Sequence, residues 1–143
     1  MFIGEYTHTI DHKRRLAIPS KFRKVLGKKA VITRGLDNCL VVYPIKEWER
    51  MAEKLQSLPV SRVDARGFAR LLLAGAVDVS LDKLGRILIP DYLKEYANLR
   101  RNVAIIGISN RIEVWDEKRW DSYKKSTEKE VGNIAQKLEE LGI

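Results

Sequence analysis

Soft metal ligands are almost absent from the chain, which has one cysteine, Cys39, and two histidines, His8 and His12. A lone cysteine excludes an intramolecular disulfide, and no Cys/His set has the spacing of a zinc site. No Gly-rich phosphate loop and no Ser or Cys nucleophile signature is present. His8 and His12 beside Asp11 are the one grouping suited to acid–base work, while Cys39 lies in an apolar stretch and reads as a small buried hydrophobe. The expectation is a protein that is not an enzyme, with no catalytic residues, metal, cofactor or small-molecule substrate. No apolar run approaches the roughly 20 residues needed to cross a bilayer. The opening Met1-Phe2-Ile3-Gly4-Glu5-Tyr6 lacks the basic and apolar segments of a signal peptide. A cytoplasmic location without a membrane partner is therefore expected.

Acidic residues are scarce in the first half. Residues 1–75 hold 15 Lys/Arg against 7 Asp/Glu, whereas residues 76–143 hold 12 of each, so the net charge of +8 lies entirely in the first half. Such asymmetry suits a polyanionic partner, although a solvated basic surface gives the same count.

The sequence also repeats itself. Ile10-Asp11-His12-Lys13-Arg14-Arg15-Leu16-Ala17-Ile18-Pro19 recurs 71 positions later as Leu81-Asp82-Lys83-Leu84-Gly85-Arg86-Ile87-Leu88-Ile89-Pro90. After a one-residue insertion Val31, Gly35, Asn38, Val42, Lys46 and Trp48 meet Val103, Gly107, Asn110, Val114, Lys118 and Trp120, with Tyr43 opposite Trp115. Ordered identities at a near-constant offset indicate a tandem duplication.

Each copy reads as ββαββ followed by helix. Residues 6–10 and 15–18 bracket a polar four-residue turn, a hairpin pattern. Pro19 suits a helix start, and the helix carries Phe22, Val25 and Leu26 on one face before Gly27. Val31–Arg34 and Leu40–Tyr43 form a second strand pair, and a helix from Ile45 places Ile45, Trp48, Ala52 and Leu55 on one stripe. Beyond Pro59, Ser61-Arg62-Val63-Asp64 reads as a capping signal for a linker helix burying Val63, Phe68, Leu71 and Leu72. The second copy ends in a helix from about Lys118 to Leu141. The fold class is α+β: residues 1–58 form one unit, 59–76 a helical linker and 77–143 the second unit with its C-terminal helix. A unit of roughly 50 residues buries little core alone, so the two are expected to interlock as a pseudo-symmetric pair sharing one sheet system.

The Asp-x-x-x-Arg spacing of Asp11/Arg15 and Asp82/Arg86 is the strongest local feature. An Asp at a turn start accepts backbone N–H bonds and structures the turn; the Arg either staples the hairpin or projects outward. Lys13, Arg14 and Arg15 follow one another beside His12, and like charges on one tight turn repel unless an anion neutralises them. Arg15, and Arg86 in the second copy, suit bidentate pairing with guanine in the major groove of duplex DNA. Lys21, Arg23, Lys24, Lys28 and Lys29 on the following helix and loop, with Lys83 in the second turn, suit phosphate contacts. The first hairpin is expected to sit in a positive field. The second is expected to lack one, because its following helix begins with Asp91 and includes Glu95, and exposed Leu84 is expected to face a neighbouring subunit. RNA binding remains an alternative on the charge alone.

The opening Met1-Phe2-Ile3-Gly4, the Ile10–Arg23 block and its degenerate second copy resemble the MraZ family, within the wider AbrB-like swapped-hairpin superfamily. The resemblance spans the whole chain. It implies a tandem pair of AbrB-like swapped-hairpin units and a nucleoid-associated transcriptional regulator. It further implies binding to short direct repeats, at the promoter of a division and cell-wall gene cluster, as a ring of eight or more copies. An AbrB-type antitoxin is the alternative within the superfamily. The family usually has Gly before the motif Arg, as at Gly85, where the first copy has Arg14. Two readings stand: Arg14 is strained by a positive φ, or it adds a DNA contact. The C-terminal helix, with Trp120, Tyr123, Val131, Ile134, Leu138 and Leu141 at three- and four-residue steps, is expected to form the seam between subunits.

Overall fold

Three of the four prolines stand immediately before helices and divide strand from helix in each copy. The computed structural model describes residues 1–143. The first copy runs β1 (Phe2–Thr9), β2 (Arg15–Ala17), α1 (Ser20–Leu26), β3 (Lys29–Arg34), β4 (Leu40–Pro44) and α2 (Ile45–Gln56). The linker helix α3 (Val63–Gly75) follows. The second copy runs β5 (Val77–Ser80), β6 (Arg86–Leu88), α4 (Asp91–Tyr96), β7 (Asn102–Ser109), β8 (Arg111–Asp116) and α5 (Glu117–Lys137). Pro19, Pro44 and Pro90 precede α1, α2 and α4 with φ of −50°, −57° and −59°, the value their rings enforce.

The strands pair mainly between copies. One antiparallel sheet has the order β1-β7-β8-β4-β3-β5, and a separate two-stranded ribbon joins β2 to β6. The opening strand of each copy therefore lies against the third strand of the other, β1 on β7 and β5 on β3. The expected hairpin of residues 6–10 and 15–18 is correspondingly reduced to its turn and one bridge, Ile10 to Leu16. The turn swings β2 out of the plane of β1, and each strand completes its backbone hydrogen bonds on the other copy.

The main core lies between the sheet and the ribbon. Leu16 and Ile87 face each other across the ribbon and are fully buried, with Ile18, Ile89, Phe22 and Leu93 beside them. Burying each such side chain stabilises the fold by roughly 1.5–3 kcal/mol. Phe22 also meets Phe2 and Tyr6 edge to face, at 5.5 and 5.2 Å. The opposite sheet face carries Val41, Tyr43, Ala104, Ile106 and Trp115, against which Trp48 and Met51 of α2 and Trp120 of α5 pack. Glu5 of β1 holds α5 down by accepting from Trp120 Nε1 and from Lys124 Nζ.

Strand pairing also corrects the register of the duplication. Thr9 and Ser80 are equivalent, and they pair with Asn102 and Lys29, so Lys29 corresponds to Asn102 and Ala30 to Val103. The pairs Ala30–Pro44 and Val103–Asp116 agree. Two residues, Leu99 and Arg100, are thus inserted before β7. One is removed at the following turn, where residues 108–111 answer 35–39, and from Leu40/Ile112 onward the offset of 72 holds.

Several expected buried stripes are open. Val25 of α1 is exposed, as are Val63, Phe68 and Leu71 of α3, and only Leu72 of the expected linker stripe is buried. Ser61 makes no cap; Arg62 occupies that position, and Asp64 accepts from Ala65 N and the Arg62 side chain. α5 has no fully buried residue; Val131 is 59% exposed, and Leu141, beyond the end of the helix, is 71% exposed. Its cap is Asp116, which accepts from Arg119 N.

Candidate nucleic-acid interface

The two Asp-x-x-x-Arg turns have the same construction. Asp11 Oδ1 accepts from the backbone N–H groups of Lys13 and Arg15, both at 2.9 Å, and Oδ2 accepts from Arg15 Nε at 2.7 Å. Asp82 does the same with Leu84 N, Arg86 N and Arg86 Nε, at 2.9, 2.9 and 2.8 Å. The backbone closes both loops, Asp11 N to Arg15 O and Asp82 N to Arg86 O, each at 3.0 Å. The Arg15 N–H is the main cause of the low pKa of Asp11, about 2, helped by the Arg15 side chain and the Lys13 N–H; Asp82 is lowered for the same reasons. Both carboxylates thus fix their turns and hold the arginines by Nε alone. The two terminal nitrogens of Arg15 and of Arg86 have no protein partner.

The ribbon sets where those arginines point. Its ladder pairs Arg15 with Leu88, Leu16 with Ile87 and Ala17 with Arg86. Side chains alternate along a strand, so Leu16 and Ile87 enter the core while Arg15, Ala17, Arg86 and Leu88 share the outer face. Arg15 and Arg86 are two ladder steps apart, about 7 Å along the ribbon. Leu88 on this face and Leu84 at the second turn are exposed, Leu84 to 63%. A two-stranded ribbon of this kind fits the roughly 12 Å width of the DNA major groove.

Arg14 and Gly85 occupy equivalent positions and both have positive φ, 61° and 73°. Arg14 is therefore in the left-handed region that costs a non-glycine residue about 1–2 kcal/mol. Its side chain binds the second copy: Nε donates to the Ile89 carbonyl at 3.1 Å, and Nη1 lies 3.4 Å from Asp91. The equivalent carbonyl in the first copy, Ile18, accepts from Arg23 Nε at 2.7 Å, and a Cβ on Gly85 would collide with that guanidinium. One acceptor position thus takes an arginine from the turn in one case and from the helix in the other. Sequence reading missed this exchange, whose one signal is that Arg14/Gly85 and Arg23/Lys94 both differ between copies.

The helices expected beside the two turns are exchanged. Ile18 N donates to Gly85 O and Leu81 N to Lys28 O, so α1 lies beside the second turn; Ile89 N donates to Arg14 O and Ile10 N to Arg101 O, so α4 lies beside the first. Arg23 of α1 and Lys28 of the loop after it line one cleft with Lys83, and acidic Asp91 stands next to the first turn. Lys13, Lys21, Lys28 and Lys83 are exposed and form no ion pair. Burial pushes the Cys39 thiol up to about 12, which leaves it protonated and unreactive.

The family model for MraZ proteins, described as antitoxin-like, matches residues 1–71 and again 72–140. The chain belongs to the MraZ family. It is 50% identical to a protein of Caldanaerobacter subterraneus subsp. tengcongensis, 51% to one of Acetivibrio thermocellus and 52% to one of Caldicellulosiruptor saccharolyticus. Each alignment covers all of both chains, and each relative is named transcriptional regulator MraZ.

Proposed function

We propose that the chain is a transcriptional regulator that binds double-stranded DNA through the outer face of the β2–β6 ribbon. The observation that carries this reading is the pair Arg15 and Arg86, on one face, each clamped by an aspartate through Nε with its terminal nitrogens free. Preorganised terminal nitrogens pair with guanine O6 and N7 at low entropic cost. Lys13, Lys21, Lys28 and Lys83 contact phosphates and set the register without reading bases. Arg14 and Arg23 brace the turns from behind, and Asp11 and Asp82 structure them. The names of the relatives support the regulatory role.

The finer reading follows the family. Residues 1–58 and 77–143 act as two AbrB-like swapped-hairpin units joined by 59–76, and the exchange of opening strands supports that architecture. The sites are short direct repeats at the promoter of a division and cell-wall gene cluster, and the protein is cytoplasmic and nucleoid-associated. A ring homo-oligomer of eight or more copies engages several repeats at once, gaining avidity without new contacts. The open apolar side of α5 supports subunit contacts. The family's antitoxin-like description keeps one further reading, in which the same ribbon binds DNA and α5 holds a toxin. A mobility-shift assay on a duplex of repeats, competed with RNA of the same sequence, tests the proposal: RNA should displace the duplex poorly, and equal competition would contradict it.

A further inference from the structure

The exchange of strands places the first copy's cations around the second copy's turn. Resting on the DNA-binding reading above, we infer that the principal anchor for the nucleic-acid backbone is a composite cleft formed by Arg23 and Lys28 of the first copy with Lys83 of the second. The cleft, of about 440 Å³, is lined by these three with Gly27, Leu81, Asp82 and Gly85. Asp82 is its one acid, and both its oxygens are occupied by the Leu84 and Arg86 N–H groups and by Arg86 Nε. Lys28 and Lys83 have no ion pair, and Arg23 spends only Nε, on the Ile18 carbonyl. Gly85 leaves the space that the Arg23 guanidinium fills.

The corresponding place at the first turn is built differently. Ser20 and Lys24 of α1 become Asp91 and Glu95 of α4, Arg23 becomes Lys94, Lys28 becomes Arg101 and Lys83 becomes His12. Arg14 there is paired with Asp91. A carboxylate beside a phosphate costs binding, and Asp91 stands there, so the first turn, although richer in cations by sequence, anchors the backbone less. Arg15 remains a base contact in a weaker field, and the second turn carries most of the salt-dependent affinity.

The test is fluorescence anisotropy on a duplex of direct repeats across a salt series, using the full chain. Lys28→Gln with Lys83→Gln should weaken binding at least tenfold and flatten the log–log salt slope by about two, near 0.9 per lost phosphate contact. Lys94→Gln with Arg101→Gln should change the slope by less than half as much. A third variant, Ser20→Asp with Lys24→Glu, gives α1 the acids of α4; the acid suits the helix dipole in the first turn at residue 20 and opposes it in the last turn at residue 24, so the two effects offset. It should keep the parent's melting temperature and weaken binding as the first pair does. An equal or larger loss from the Lys94/Arg101 pair, or no loss from the cleft variants, overturns the inference while duplex binding stands. A parent that does not bind the duplex overturns the DNA reading and the cleft with it.

Discussion

Arg14 Nε donates to the carbonyl of Ile89 across the two halves of the chain, at 3.1 Å. The bond explains how an arginine occupies a position where the second copy has a glycine: the left-handed backbone is strained, and the side chain recovers energy by satisfying an acceptor that Arg23 satisfies in the other half.

Replacing these two residues should therefore give unequal results. Arg14→Gly relieves about 1 kcal/mol of backbone strain and loses a hydrogen bond worth about 1 kcal/mol, so urea denaturation should show stability within about 1 kcal/mol of the parent. Gly85→Ala gains the strain and drives Cβ into the Arg23 guanidinium; a loss of about 1–3 kcal/mol is expected.

Acid should loosen the first turn. The pKa of Asp11 is lowered from 3.8 to about 2 by the Arg15 N–H and its neighbours. Because the folded value lies below the unfolded one, the contribution is complete above about pH 4 and is lost as pH falls toward 2. Melting temperatures followed from pH 6 to 2 should fall over that window, and Asp11→Asn should flatten the acid limb while lowering the plateau.

Much of this was legible in the sequence, and the exceptions have identifiable causes. The duplication, the prolines before helices and the two Asp-x-x-x-Arg turns are local patterns, and local patterns survive in a single sequence. Strand partners do not: alternation shows that β1 has one covered face, and nothing in it says that β7 of the other copy supplies the pairing. The slip between Val31 and Val103 has a similar origin. Ala30, Val31, Ile32 and Thr33 are all buried, so no in–out alternation fixes the phase of β3, and matching the two valines by identity chose the wrong neighbour. Once partners were mistaken, the surroundings of each turn were too, because Asp91 was assigned to its own copy's turn and belongs beside Arg14.

α5 provides a test of assembly. Val131 and Ile134 of its outer turns, with Leu138 and Leu141 just beyond its end, are open to solvent. Val131→Asp with Leu138→Asp should leave the melting of a single chain unchanged and reduce the mass by light scattering. A monomeric parent at micromolar concentration would contradict the ring.

In the proposed binding mode Arg15 and Arg86 read duplex DNA from one face of the ribbon. Each bidentate contact is worth roughly 1–3 kcal/mol of discrimination between bases. The most direct measurement is the affinity ratio for a repeat-containing duplex over a scrambled one, compared between the parent and the Arg15→Ala/Arg86→Ala variant. The variant should lose the ratio almost entirely and keep salt-dependent binding to both duplexes through its lysines. A variant that discriminates as well as the parent would contradict this mode.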